Sequence, residues 1–281
     1  MEWRVLMTTM SITGGKKIAI VSSESPESEE VKKKLEEKIK TSPMMLSQKN
    51  PDIIVSIGGD GTLLQAVHQF ERNIKSARFV GIHTGHLGFY TDYLSHELDE
   101  LLEAIEQEDV TTSISYPMLK VKAILADGQT FEKYALNEST IRRSTRTLVA
   151  DVYISGFLFE RFRGDGLSVS TPTGSTAYNK SVGGAVIHPS LVAMQMTEIA
   201  SLNNRVYRTL GAPIVIDKEE KIILNLDKVL DYSLTIDRLE YKFTNLVALE
   251  YSLDGTRINF VGGRHSSFWE RVQHSFIGDV K

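Results

Sequence analysis

Several stretches of this chain combine residue types that could do chemistry on a polar ligand. One is Gly58-Gly59-Asp60-Gly61-Thr62, set between an apolar run and a helical pattern. Adjacent glycines remove side chains where a backbone must turn sharply and approach a ligand closely. A helix N-terminus just beyond offers unpaired N–H groups and a positive dipole, which suits a phosphate. Asp60 inside such a cradle would repel an anion. It therefore reads better as a base or metal ligand than as a binding group. The stretch is not G-x-x-x-x-G-K-[ST], and Leu64 stands where a dinucleotide fingerprint needs its third glycine. A plain turn with an Asp cap is the alternative.

A second stretch is Gly81-Ile82-His83-Thr84-Gly85-His86-Leu87-Gly88-Phe89-Tyr90. Its histidines lack a Glu or Cys at a usual zinc spacing, so they read as loop-orienting groups rather than ligands. Phe89 and Tyr90 present aromatic faces to a base or to the core. Asn137-Glu138 alone reads as a solvated pair. Arg161 to Gly166, followed by Ser170 to Gly184, forms a long polar stretch rich in hydroxyls and glycine. It reads as a loop, and long loops in compact domains usually bind something. Hydroxyl and backbone donors suit ribose, phosphate and amides. Arg163 or Lys180 could place a cation near phosphates. Arg205 and Arg208 read as a solvated face.

The elements that must position these groups change character along the chain. Lys17–Val21, Asp52–Ile57 and Arg78–Ile82 read as buried strands. Between and after them, Val31/Leu35/Ile39, Leu63/Leu64/Ala66/Val67/Phe70 and Leu98/Leu101/Leu102/Ile105 mark helical faces. This alternation predicts βαβ units and a parallel sheet. From Tyr116-Pro117 to Phe260 short strands dominate. Turns at Asp127-Gly128, Ser155-Gly156 and Asp254-Gly255 predict hairpins in an antiparallel part. A last helix follows, with Phe268, Trp269, Val272 and Phe276 on one face, a capping box from Ser267 to Glu270 and a stop at Gly278. That aromatic face is expected to bury against the first domain. The expected division is an extension over 1–15, a Rossmann-like domain over 16–115 plus 262–281, and a β-rich domain over 116–261.

Composition sets the bounds. The chain has 281 residues, enough for about two domains. It has 0 Cys, which excludes disulfides, thiolate zinc sites and a catalytic thiol. The formal charge of −4 announces neither a nucleic-acid nor a membrane partner. No apolar run approaches the ~20 residues of a membrane span. A soluble, cytoplasmic protein is expected. The first fourteen residues lack the pattern of a signal peptide and read as an extension outside the fold.

Taken together, the stretches resemble the bacterial NAD kinases of the Gram-positive type. The matches are GGDGT at 58–62, GIHTGHLGFY at 81–90, Asn-Glu at 137–138, RFRGDGLSVSTPTGSTAYNKSVGGAVIHPS at 161–190 and EIASLNNRVYRTLG at 198–211. GGDGT is shared with lipid kinases and phosphofructokinases, whereas the 161–190 stretch is not. The resemblance implies a Rossmann-like domain, a β-rich domain and a last helix returning to the first. It implies transfer of a phosphate to the adenosine-ribose 2′-hydroxyl of NAD to give NADP. The donor could be ATP, another nucleoside triphosphate or polyphosphate.

By the same resemblance Asp60 is the general base and Gly59 and Gly61 lie against phosphates. Asn137 and Glu138 hold ribose or metal. Phe89, Thr176, Ala177 and Tyr178 surround the adenine or nicotinamide ring, and Asp165 and Ser181 meet the nicotinamide end. Thr62, Tyr90, Arg163, Thr173 and Ala200 are further nucleotide-binding candidates in the matching stretches. A divalent cation, most simply Mg²⁺, is expected on the donor phosphates rather than in a protein cage. Members form homodimers or homotetramers and can complete the site across subunits. Arg238 beside Asp237 departs from the family's pattern. The competing readings are a lipid or diacylglycerol kinase and a non-catalytic dinucleotide sensor.

Overall fold

The computed structural model describes residues 15–85, 88–108, 114–143, 145–226, 231–262 and 267–278. Strands and helices alternate first: β1 (Lys17–Ser22), α1 (Pro26–Lys40), β2 (Met45–Leu46), β3 (Ile53–Ile57), α2 (Asp60–Gln69), β4 (Arg78–His83), β5 (Tyr93–Leu94) and α3 (Leu98–Glu106). Helix α1 starts where Ser25 Oγ accepts the Ser28 N–H at 3.2 Å, with Pro26 in the first turn. Every residue of β3 is buried, as a parallel strand covered on both faces requires. Val31, Leu35 and Ile39 of α1 and Leu101 and Ile105 of α3 pack on one face of the sheet. Leu63, Leu64, Ala66 and Val67 of α2 pack on the other.

Strands then dominate: β6 (Ile114–Pro117), β7 (Leu119–Leu125), β8 (Thr130–Ala135), β9 (Glu138–Arg142), β10 (Leu148–Ile154), β11 (Phe157–Gly164) and β12 (Gly166–Ser170). After the short α4 (Tyr178–Ser181) come β13 (Ala193–Ile199), β14 (Ile214–Asp217), β15 (Ile222–Leu226), β16 (Tyr232–Ile236), β17 (Leu239–Phe243), β18 (Leu246–Ser252) and β19 (Arg257–Phe260). The chain closes with α5 (Phe268–Phe276). The first sheet has the order β2-β1-β3-β4-β19-β6, with β5 beside β4. Two six-stranded antiparallel sheets, β11-β10-β15-β18-β7-β8 and β14-β13-β12-β9-β16-β17, share one apolar core and form a sandwich.

The architecture is thus a Rossmann-like α/β part followed by an antiparallel β-rich part. Three details differ from the sequence reading. Asp254-Gly255 does not close a hairpin. It is the corner where the chain leaves β18 in the sandwich and enters β19, which pairs parallel to β4 and antiparallel to β6. Residues 257–260, placed by sequence in the β-rich domain, therefore complete the first sheet. An X-Gly signal marks a turn but not the sheet that follows it.

The 161–190 stretch is not a continuous loop either. Gly166–Ser170 is a wholly buried strand, whose Ser168 Oγ accepts from Thr140 Oγ1 at 3.1 Å. Helix α5 has its capping box and stops at Gly278, whose φ is 82°. It returns to the first domain, where Phe268 and Phe276 meet Phe89 at 6.3 and 5.9 Å, but its aromatic face is only partly buried, with Trp269 55% and Phe276 42% exposed. Its most deeply buried residue is Arg271, which is 2% exposed.

Candidate active site

At the end of β3 the chain turns at Gly58, whose φ of 146° disfavours any L side chain. A Cβ there would also lie 2.4 Å from Thr62 Oγ1, which is buried directly beneath the turn. The Gly58 N–H is tied to Ile82 O of β4 at 2.9 Å. Gly59 is the N-cap of α2, and Asp60 is its first residue. A Cβ added at Gly59 or Gly61 would meet nothing within 4 Å, so this backbone faces open space at the positive end of a helix.

The Asp60 carboxylate points back into the protein. It accepts the N–H of Phe89 at 2.8 Å and of Tyr90 at 3.0 Å. The loop wraps it so closely that a Cβ at Gly88 would lie 2.2 Å from Asp60 Oδ1. Burial raises the Asp60 pKa above its ordinary value, against those two N–H donors and the nearby Arg271, which lower it. A raised carboxylate is a better proton acceptor than a free one. Arg271 holds the same loop from the other side. Its Nη1 donates to Gly88 O (3.1 Å), Phe89 O (2.7 Å) and Thr91 O (3.4 Å), and its Nη2 pairs with Asp92.

Tyr90 is buried, with its ring stacked on Phe260 at 6.0 Å and its hydroxyl donating to Asn137 Oδ1. This bond links the first part of the chain to the start of β9. There Asp237 gathers the backbone, accepting the N–H of Leu136 (3.0 Å), Asn137 (2.7 Å) and Glu138 (3.3 Å). Glu138 is 8% exposed, and its Oε2 is buried without a partner. Burial, and then the Asp237 charge, push its pKa up to about 8. That direction favours the neutral carboxyl near pH 7. Thr173 Oγ1 donates to Leu136 O at 3.1 Å, so the polar segment after β12 packs onto the same backbone.

The other candidates extend away from this centre. Thr176 is buried, its Oγ1 donating to Thr173 O at 3.2 Å. Ala177 is half-buried and caps α4. Arg142, at the far end of β9, lies over the Tyr178 ring at 5.2 Å. Ser181 is exposed and bonds Tyr178 O at 2.7 Å. Lys180 lies over the Phe276 ring at 4.1 Å rather than free in the cleft, and Phe276 in turn meets Phe89 at 5.9 Å. Arg163, Asp165 and Ala200 form a separate group. Arg163 covers the Tyr207 ring at 4.2 Å, and Asp165 and Ala200 are exposed, the latter at a φ of 47°. In register, Gly166 pairs with Arg142 and Ser170 with Glu138. The two groups thus stand a strand length apart, roughly 17 Å at 3.3–3.4 Å per residue.

Among the second stretch's histidines, His83 Nδ1 is 3.1 Å from Gly85 O and orients its own loop. His86 lies outside the described residues. Asp237, His68, Arg142 and Arg271 were not singled out as functional from sequence. Each works through partners far away in the chain, so no local spacing announces it. Among the described residues, no group of three or more His, Cys, Asp or Glu could hold a metal ion. No helix among them is long and apolar enough to cross a membrane.

A carboxylate at a helix N-terminus, open glycine backbone beside it and the buried polar pair Asn137–Glu138, tied to the same loop through Tyr90, suit phosphoryl transfer to a hydroxyl. Comparison with known proteins agrees. Residues 4–110 match the family model of the ATP-NAD kinase N-terminal domain, and residues 136–243 that of the C-terminal domain. The chain belongs to the NAD kinase family. An NAD kinase of Streptococcus thermophilus is 52% identical over 279 residues, 98% of this chain and 100% of that protein. One from Lactococcus lactis is 50% identical over 267 residues, 95% and 99% of the two chains.

Two solved NAD kinase relatives share the fold. Yeast NADH kinase complexed with NADH matches with a TM-score of 0.79 at 18% identity, covering 96% of this chain and 90% of its own. An Archaeoglobus fulgidus NAD kinase in complex with ATP matches with a TM-score of 0.73 at 24% identity, covering 92% and 98%. The family match begins at residue 4, inside the stretch that sequence alone set aside as an extension. Residues 4–14 lie outside the described residues.

Proposed function

We infer that this protein is an enzyme that phosphorylates NAD, passing the terminal phosphate of ATP to the adenosine-ribose 2′-hydroxyl to give NADP. The observation that carries this reading is the Asp60 carboxylate, oriented by two backbone N–H groups beside open glycine backbone and the Asn137–Glu138 shelf. The ribose rests on Asn137 and on Glu138, whose neutral carboxyl can donate as well as accept. Asp60 orients the hydroxyl and accepts its proton as the bond to phosphorus forms. Phosphoryl transfer has a loose transition state, so positioning and charge neutralisation supply most of the acceleration.

The backbone N–H groups at the start of α2 receive the donor phosphates. A divalent cation, most simply Mg²⁺, is placed on those phosphates, where it would bridge their oxygens. The cation would neutralise phosphate charge. We place the rings along Phe89, Thr176, Ala177 and Tyr178 and the nicotinamide end toward Ser181 and Asp165.

A homodimer or homotetramer is the proposed assembly. Exposed Phe157, Leu158, Val206, Leu210 and Val215, on β11, β14 and the segment between β13 and β14, offer the surface for a second copy.

Incubation with Mg²⁺, NAD and either ATP or polyphosphate, followed by detection of NADP, tests the reading and names the donor. Asp60→Asn is expected to fold and bind NAD while kcat falls roughly 10²–10⁴-fold. Near-wild-type turnover in that variant overturns the base assignment. Tight NAD binding with no NADP formed by the wild-type protein would make it a sensor.

A further inference from the structure

One buried pair joins the helix that carries Asp60 to the strand end that carries Glu138. Gly61, Gln65 and His68 follow i, i+4, i+7 spacing, so they share one face of α2. The tip of the β16–β17 hairpin lies along that face. Arg238 Nη1 donates to Gly61 O at 2.9 Å and to Gln65 Oε1 at 3.4 Å. Two turns further on, His68 Nε2 meets Asp237 Oδ2 at 2.9 Å. The two side chains are 7% and 0% exposed. Asp237 holds a φ of 51°, in the left-handed region, and so aims its carboxylate back under β9. The same carboxylate accepts the three N–H groups of Leu136, Asn137 and Glu138.

His68 therefore acts at a junction. Its Nε2 proton fills an acceptor site on the one carboxylate that fixes the backbone of the ribose shelf. Its Nδ1 is buried and has no partner. A buried imidazole with an unsatisfied nitrogen carries a desolvation cost that a Leu or Met of similar size would avoid. Core filling alone does not explain it, whereas a directed hydrogen bond does. Gly61 and His68 sit at opposite ends of α2, so the hairpin tip sets both the height and the rotation of the helix against β9. Asp60 stands in the first turn of that helix.

We propose that His68 is a positioning residue for phosphoryl transfer, which through Asp237 fixes Asp60 relative to Asn137 and Glu138. This rests on the NAD kinase reading of the site. A misplacement of about 1 Å can cost on the order of 10² in rate. The test compares His68→Ala and His68→Gln, since the Gln side-chain amide keeps a donor near the Nε2 position. The readouts are kcat, NAD affinity, melting temperature and amide hydrogen exchange at 136–138.

His68→Ala is expected to lose at least about tenfold in kcat, with NAD affinity changed less than about threefold. It is also expected to exchange the 136–138 amides faster, and His68→Gln is expected to recover most of both properties. A kcat within twofold of wild type in His68→Ala, or an equal loss in His68→Gln, overturns the proposal. So does unchanged exchange at 136–138. Wild-type turnover reports separately on the function, and the exchange measurement tests the linkage without relying on activity.

Discussion

Glu138 gives this protein a stability that falls as the pH rises through neutrality. Its carboxyl stands at about 8 in the folded chain, against an ordinary 4.5. Below the unfolded value both states hold the proton and nothing is lost. Between the two values the unfolded chain releases it and the folded chain keeps it, so stability drops by ~1.36 kcal/mol per pH unit. Above the folded value the loss is complete. Between pH 5 and pH 8 the loss from this one group is therefore about 3.5 kcal/mol, a large share of a typical 5–15 kcal/mol total.

Urea unfolding of wild type and Glu138→Gln across that range isolates the effect, because the amide has no proton to lose. Burial also raises Asp60, Glu108 and Glu160, but these groups titrate alike in both proteins and cancel in the difference. The stability of wild type relative to Glu138→Gln is expected to fall steadily from pH 5 to pH 8. A difference that stays constant to within about 0.5 kcal/mol would refute the buried neutral carboxyl and the donor role derived from it.

Other perturbations follow from the close packing around Asp60. Arg271→Ala removes the buried ion pair with Asp92 and the bonds to three carbonyls, so urea unfolding is expected to show a loss of about 3–5 kcal/mol. A loss below about 1 kcal/mol would mean the helix is held some other way. Gly88→Ala drives a methyl to 2.2 Å from Asp60 Oδ1 and is expected to cut kcat by at least about tenfold, measured as NADP formed at saturating substrates. Gly174→Ala puts a Cβ 2.0 Å from Asn137 O, a backbone atom that cannot swing aside. A thermal melt is expected to show at least about 1–3 kcal/mol lost.

What could be read from sequence depended on how local the cause was. The alternating strands and helices up to α3 were legible because each apolar run or stripe is set by its own neighbours. The Asp60 turn was legible for the same reason. The 161–190 stretch was misread as a loop because Ser168 and Ser170 look like loop residues. In the sheet they are buried, and Ser168 accepts a hydroxyl from Thr140 on the adjacent strand.

Helix α5 returns to the first domain as expected, but its anchor at Arg271 was not legible, because burial of an arginine requires oxygens that the folded 88–92 loop supplies. Asp237 carried no signal at all. It looks like any turn aspartate, and its partners at 136–138 lie about a hundred positions away. The departure noted at Arg238 pointed to the right turn but not to the residue that organises the site.

Strand β19 has a consequence for the order in which the molecule can assemble. A nascent chain emerges N-terminal end first. Strands β1, β3 and β4 are made early, but the neighbour that covers the open side of β4 is residues 257–260, made after the whole sandwich. Until then only β5 pairs on that side of β4, at Ile82–His83, and the Arg78–Phe79 end lacks its strand neighbour, the kind of edge that recruits other chains. The sandwich can form from residues contiguous in the chain, whereas the first sheet must wait for the chain to come back. The part that is synthesised first is the part that is completed last, and Asp60 gains its finished surroundings only when α5 arrives with Arg271.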